Sequence, residues 1–258
     1  MWLALLALLA YALAAMPWQG LAKASTPALA VGVAAHALML ATEIGSVGVA
    51  GMAARLGFGP VMSLTVCLVL AVHAVESRLL PVPAVRRVLA LAGLAAVTLA
   101  LFFPGELRTL GSRWAPLHWL LGVAAYGLFG AAVLHGVLLD EADRRMRRHS
   151  GAAPAQHHFG MPLLQLERLT YRFVQAGFVV LSVAIVLGVA TATRWRFDHK
   201  TVLSVLSWGL FAALLAGRHW RGWRGRQATR WLYAGALVLL LAYAGSRFVT
   251  EVVLGRSA

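Results

Sequence analysis

Long apolar runs alternate with short, arginine-bearing polar breaks along the whole chain, and this alternation sets its architecture. An α-helix needs about 20 apolar residues to cross the hydrocarbon core of a bilayer. Eight such runs can be drawn: Trp2 to Gln19, Ala28 to Val47, Gly59 to Val75, Ala84 to Phe103, Leu117 to Leu139, Leu169 to Ala192, Val202 to Gly217 and Trp231 to Leu254. Each must be helical, because lipid offers no partner for backbone N–H and C=O groups. The third and seventh runs are short, and Lys200 extends the seventh by laying its aliphatic stem along the apolar surface. The pattern predicts an all-α fold, a polytopic membrane helix bundle of about eight transmembrane helices. It forms a single integral membrane domain over 1–258, with spans 1–5 over 2–139, a linker over 140–168 and spans 6–8 over 169–254. The linker carries Gly151-Ala152-Ala153-Pro154-Ala155 and reads as a mobile connection. His157-His158 within it lacks an acidic or cysteine partner and reads as loop.

Charge gives the runs a direction. The odd-numbered loops hold Lys23; Arg78, Arg86 and Arg87; Arg144, Arg145, Arg147, Arg148, Arg168 and Arg172; and Arg218, Arg221, Arg224, Arg226 and Arg230. Those are fifteen of the 23 basic residues; the even loops and the C-terminal end hold the other eight. The positive-inside rule therefore predicts odd loops in the cytoplasm and both termini on the outer side of the membrane. At the N-terminus, Ala12-Leu13-Ala14 has the small-x-small form of a cleavage site, but no positive residue precedes the apolar run. An uncleaved first span is expected.

Composition narrows the class further. The chain has 258 residues, 60% hydrophobic and 12% charged, with mean hydropathy +0.77. A soluble domain would carry about 25% charged residues. A formal charge of +14 raises the question of nucleic acid, but the cations are scattered between apolar runs, so no nucleic-acid partner is expected and the bilayer is the partner. Cys67 is the only cysteine, which excludes an intrachain disulfide, CxxC redox chemistry and covalent haem attachment through CxxCH. Neither a GxSxG elbow nor a phosphate-cradling glycine loop is present, so an enzyme is not expected. Gly222-Trp223-Arg224-Gly225-Arg226 lies in a basic turn, where contact with anionic lipid is the natural reading.

Polar groups at membrane depth are costly and are therefore candidates for function. They are His36, Glu43, His73, His118, His135 and Gln175. His118 and His135 lie seventeen residues apart on one helix, about 25 Å, too far to share a site. Haem suits buried histidines in a chain without cysteine pairs: its iron takes axial imidazoles and its carboxylates favour cations at a membrane face. Trp114, Trp119, Trp195, Arg113, Arg194 and Arg196 stand near the outer face and could serve it. An aromatic belt with interfacial arginines would show the same residues.

Leu117-His118 followed by Tyr126, then Leu166-Glu167-Arg168 and Gly177, resembles the cytochrome c assembly family of CcsA- and CcmC-like proteins. So do Asp198-His199-Lys200-Thr201-Val202-Leu203-Ser204 with Trp208, and the Gly222 to Arg226 turn. His36-Ala37 and the Leu241 to Arg247 segment are similar to a short branch that includes the HemX-like proteins. The resemblance covers Ala28 to the C-terminus. It implies an eight-span protein that binds or handles haem for cytochrome c biogenesis, beside other biogenesis proteins. His118 would then be an external ligand to haem iron and His36 its possible partner, with Trp195 and Arg194 beside the cofactor. The family's tryptophan-rich external loop is shortened here to Trp195-Arg196-Phe197-Asp198-His199-Lys200, and Ala216 and the Ser246-Arg247 region stand where other family histidines are expected. Two alternatives stay open: a cofactor-free structural or regulatory subunit, and a transporter of a small solute or ion, against which the lack of an internal repeat counts.

Overall fold

The computed structural model describes residues 1–16, 22–44, 53–76, 83–109, 114–148, 163–191 and 198–253. Among these residues eight α-helices follow one another: α1 (Trp2–Ala15), α2 (Ala22–Ile44), α3 (Phe58–Glu76), α4 (Pro83–Phe102), α5 (Ala115–Arg148), α6 (Leu163–Thr191), α7 (His199–Arg221) and α8 (Gly225–Leu240). Seven of them, α2 to α8, are long and apolar enough to cross a bilayer, α8 with its helical continuation to Gly245. The chain is a multi-pass membrane protein. At 14 residues α1 is shorter than a span; Pro17 to Gln19 of its expected run lie outside the described residues.

Two features were not anticipated. Strands β1 (Ala53–Leu56) and β2 (Glu106–Thr109) form a small antiparallel ribbon, with Ala53 opposite Thr109 and Leu56 opposite Glu106. The expected linker is also shorter than its polarity suggested. Helix α5 continues through Asp140 to Arg148 and α6 starts at Leu163. The α5 extension is held by i,i+4 pairs, Arg145 to Glu141 at 2.7 Å and Arg147 to Asp143 at 3.0 Å, which stabilise helix outside lipid. His157 and His158 lie outside the described residues.

The chain packs as two units, Met1–Arg113 with Arg247–Ala258, and Trp114–Ser246. In the first, the ring of Tyr11 lies between Gly32 on α2 and Gly93 on α4; a Cβ at either glycine would come within 2.8 Å of that ring. Tyr11, His36 and Ser63 are all buried. The Tyr11 hydroxyl is 3.1 Å from His36 Nδ1, and His36 Nε2 is 2.7 Å from Ser63 Oγ. One polar chain thus ties α1, α2 and α3 together.

The second unit is centred on Phe129 of α5 and Phe211 of α7, stacked with centroids 3.7 Å apart and planes 4° from parallel. Each ring fills the space left by a missing side chain. Phe129 rests on Gly177 of α6, and Phe211 rests on Gly235 of α8. Beside them, the Ser207 hydroxyl donates to the Gly235 carbonyl at 2.9 Å. At one end the α7–α8 turn is folded tightly: Gly222 and Gly225 adopt φ of 64° and 54°, the left-handed region glycine favours. Trp223 folds back onto Gly217, where a Cβ would lie 2.3 Å from its ring. Glu167 of α6 anchors this turn. It accepts from Arg218 and, at 3.2 Å, from Arg224, while the Arg218 guanidinium sits 4.1 Å above the Tyr171 ring. Asp140 of α5 accepts from the Thr229 and Tyr233 hydroxyls, both at 2.9 Å.

Candidate functional site

At the opposite end of the second unit, a cavity of about 510 Å³ opens between α5, α6, α7 and the end of α8. His118, near the start of α5, lines it. Its Nδ1 lies 2.9 Å from the Ala184 carbonyl of α6. A carbonyl only accepts, so Nδ1 carries the proton and donates it. In the neutral ring the lone pair is then on Nε2. One turn beyond Ala184, Gly188 lets the imidazole lie against α6: a Cβ there would stand 2.8 Å from His118 Cε1.

The far wall comes from a local change in helix geometry. Past Leu240 the backbone widens into a π turn over Leu241–Gly245. Such turns leave carbonyls without their usual partners and recur at functional sites. The Tyr126 hydroxyl of α5 donates to the Leu239 carbonyl at this point, and Ala242 and Tyr243 face the cavity. Leu181, Ile185 and Val205 make the interior apolar. The rim is polar, formed by Asp198, Lys200, Thr201 and Ser204 at the start of α7. Asp198 caps that helix, accepting from Thr201 N–H at 2.9 Å and from the Thr201 hydroxyl at 2.8 Å. The Thr201 N–H holds its carboxyl below the usual carboxylate range, aided by the hydroxyl and by Lys200 and His199. The result is a largely apolar cavity with one orientated imidazole and a charged mouth, suited to an amphiphile carrying a metal or a carboxylate.

The expected site residues fare differently. His118 and the Asp198 to Ser204 segment meet at this cavity, with Tyr126 and Tyr243. His36 lies in the first unit with both ring nitrogens within hydrogen-bonding distance of Tyr11 and Ser63, so it binds iron only by releasing one of them. Arg194 and Trp195 lie outside the described residues. His135 is buried with Nδ1 2.7 Å from the Ala131 carbonyl of its own helix and its ring 5.2 Å from Phe173. Gln175 is exposed on α6 and does not line the cavity. Ala184 and Gly188, which hold His118, were missed: small residues inside an apolar run give no signal of their own.

Comparison with known proteins bears on the family. The family model described as cytochrome C assembly protein matches residues 57–254. The inner membrane protein YpjD of Escherichia coli (strain K12) is 29% identical over 232 residues, 86% of this chain and 85% of that protein. An uncharacterized 28.8 kDa protein of Azospirillum brasilense is 33% identical over 147 residues, 55% of this chain and 54% of its own. The cytochrome c biogenesis protein CcsA of Prochlorococcus marinus (strain MIT 9515) is 34% identical over 90 residues, 33% of this chain and 29% of that protein. No solved structure matches significantly. With the family model covering most of the helices described above, the chain belongs to the cytochrome c assembly protein family.

Proposed function

We propose that this protein binds haem as cargo for cytochrome c biogenesis, with His118 ligating the iron through Nε2. The observation that carries the reading is the bond from His118 Nδ1 to the Ala184 carbonyl. Metal-bound histidines are held in this way, their other ring N–H donating to a carbonyl or carboxylate. The lining residues fit the group. Leu181, Ile185 and Val205 offer apolar walls to a porphyrin face, and Lys200, Thr201 and Ser204 at the rim suit its carboxylates. Bound there, haem would bring a redox-active iron; the chain's part is to ligate, orient and shield it. Arg194 and Trp195 are proposed to complete the outer side of the site. His36 is assigned the work its hydrogen bonds describe, holding α1 to α3 together.

Two relatives support the biological setting, one named for cytochrome c biogenesis and one as an inner membrane protein. We place the chain in a bacterial inner membrane, where other biogenesis proteins would deliver or receive the haem. The arginine distribution supports a cytoplasmic α7–α8 turn, with the cavity mouth and both termini facing the periplasm. The test is an absorption spectrum of the detergent-purified protein, expressed with added haem precursor, oxidised and then reduced with dithionite. A Soret band that is lost or shifted in His118→Ala is expected. An unchanged band in that variant removes His118 from the site, and a featureless wild-type spectrum turns the reading to a cofactor-free regulatory subunit.

A further inference from the structure

One face of α6 holds a second, unrelated feature. Positions 168, 172, 175, 179, 183 and 186 recur at helical spacing and form one narrow stripe. All six side chains are exposed. Val179, Val183 and Val186, at 60%, 49% and 67% exposure, mark the stripe as the side of the helix that meets lipid tails. No charged residue follows Arg172 on α6 up to Thr191, roughly 28 Å along the axis, close to the thickness of about 30 Å of the hydrocarbon core, which puts Arg172 where tails give way to headgroups. Arg168, one turn further out, lies directly above it. The two guanidiniums therefore face sideways into the headgroup layer, above a strip of tail-facing valines.

Among the described residues no carboxylate forms an ion pair with Arg168 or Arg172. Glu167, adjacent in sequence, is buried, and its carboxylate is taken by Arg218 and Arg224. Helix α8 repeats the design with exposed Arg226 and Arg230 above Leu237 and Leu241. We infer that the Arg168–Arg172 step on α6, with Gln175 beneath it, is a binding site for the phosphate headgroup of an anionic phospholipid, whose acyl chains lie along Val179, Val183 and Val186. Charge complementarity supplies the attraction and the valine strip supplies the depth. A free phosphate would gain the first but not the second.

The test uses the full-length protein released from mixed micelles of phosphatidylglycerol and phosphatidylcholine in equal amounts, with bound lipids counted by native mass spectrometry. Phosphatidylglycerol adducts should dominate in the wild type. Each arginine removed should weaken headgroup binding about fivefold, in Arg168→Gln or Arg172→Gln, and the pair about 25-fold. The double Arg→Lys protein should keep most of the preference. The inference is overturned by equal retention of both lipids, by an unchanged preference in either single Gln variant, or by inorganic phosphate displacing the lipid at concentrations near its own. These readings are independent of haem.

Discussion

Replacing Gly188 with alanine puts a methyl group 2.8 Å from His118 Cε1 and 3.3 Å from Nδ1. Carbon atoms settle at about 3.5–4.0 Å, so the imidazole must retreat from α6 by roughly 0.7–1.2 Å. Ala184 lies on the same face of α6, one turn away, so the retreat lengthens the 2.9 Å bond past any useful hydrogen-bond distance. The bond itself is worth about 1 kcal/mol. Its larger effect is on the ligand: losing the group that orients a metal-bound histidine typically lowers metal affinity about 10–100-fold. Haem titration of the purified protein, followed by the Soret band, should show a loss of that size in Gly188→Ala with the fold retained. Gly209→Ala is the control, since nothing lies within 4 Å of the Cβ it adds. Nitrogen NMR of labelled histidine gives a second reading without haem: the Nδ1-protonated form of His118 should lose its dominance in Gly188→Ala. Unchanged affinity together with an unchanged tautomer would refute the argument that α6 sets this ring.

Two further outcomes follow from the packing and the caps. Gly235→Ala drives a methyl to 2.8 Å from Phe211, whose ring is already stacked on Phe129, itself resting on Gly177. With no room to yield, the substitution should cost about 1–3 kcal/mol, read as a lower thermal midpoint in detergent, and adding Phe211→Leu should recover much of it. Asp198→Ala removes the cap of α7 and should cost about 1 kcal/mol at neutral pH. Because folding lowers the Asp198 carboxyl's pKa, this stabilisation is fully present above the ordinary aspartate value of about 3.9. It is lost as pH falls through the lower folded value. Wild type and variant should therefore differ in thermal midpoint at pH 7, and the gap should narrow as pH is lowered below the ordinary aspartate value; a gap independent of pH would contradict the capping account.

The membrane architecture was legible because its cause is local. Every apolar run long enough to span had to be helical, and α2 to α8 arose where the runs lay. The first part of the expected linker, Asp140 to Arg148, is helical for an equally local reason. Its polar composition resembles linker, but Glu141 and Arg145, like Asp143 and Arg147, lie one helical turn apart and carry α5 onward as ion pairs. What no single run reveals is which glycine receives which ring. Gly177, Gly188 and Gly235 look alike in sequence, yet they hold Phe129, His118 and Phe211. Their roles depend on the register between helices, which hydropathy does not encode.

The two histidines named as iron ligands show where residue type stops being informative. Both lie in apolar helices, but the family match over residues 57–254 includes His118 and not His36. His36 has a partner at each nitrogen, Tyr11 from α1 and Ser63 from α3, and a metal there would compete with a bond that holds helices together. His118 has a backbone partner at Nδ1 and lines a cavity, so ligation through Nε2 would break nothing in the fold. An imidazole fully occupied by the interior is a strut; one held by a single nitrogen at a cavity wall is poised to bind. The difference rests on Ser63 and Ala184, 27 and 66 residues away from the respective rings.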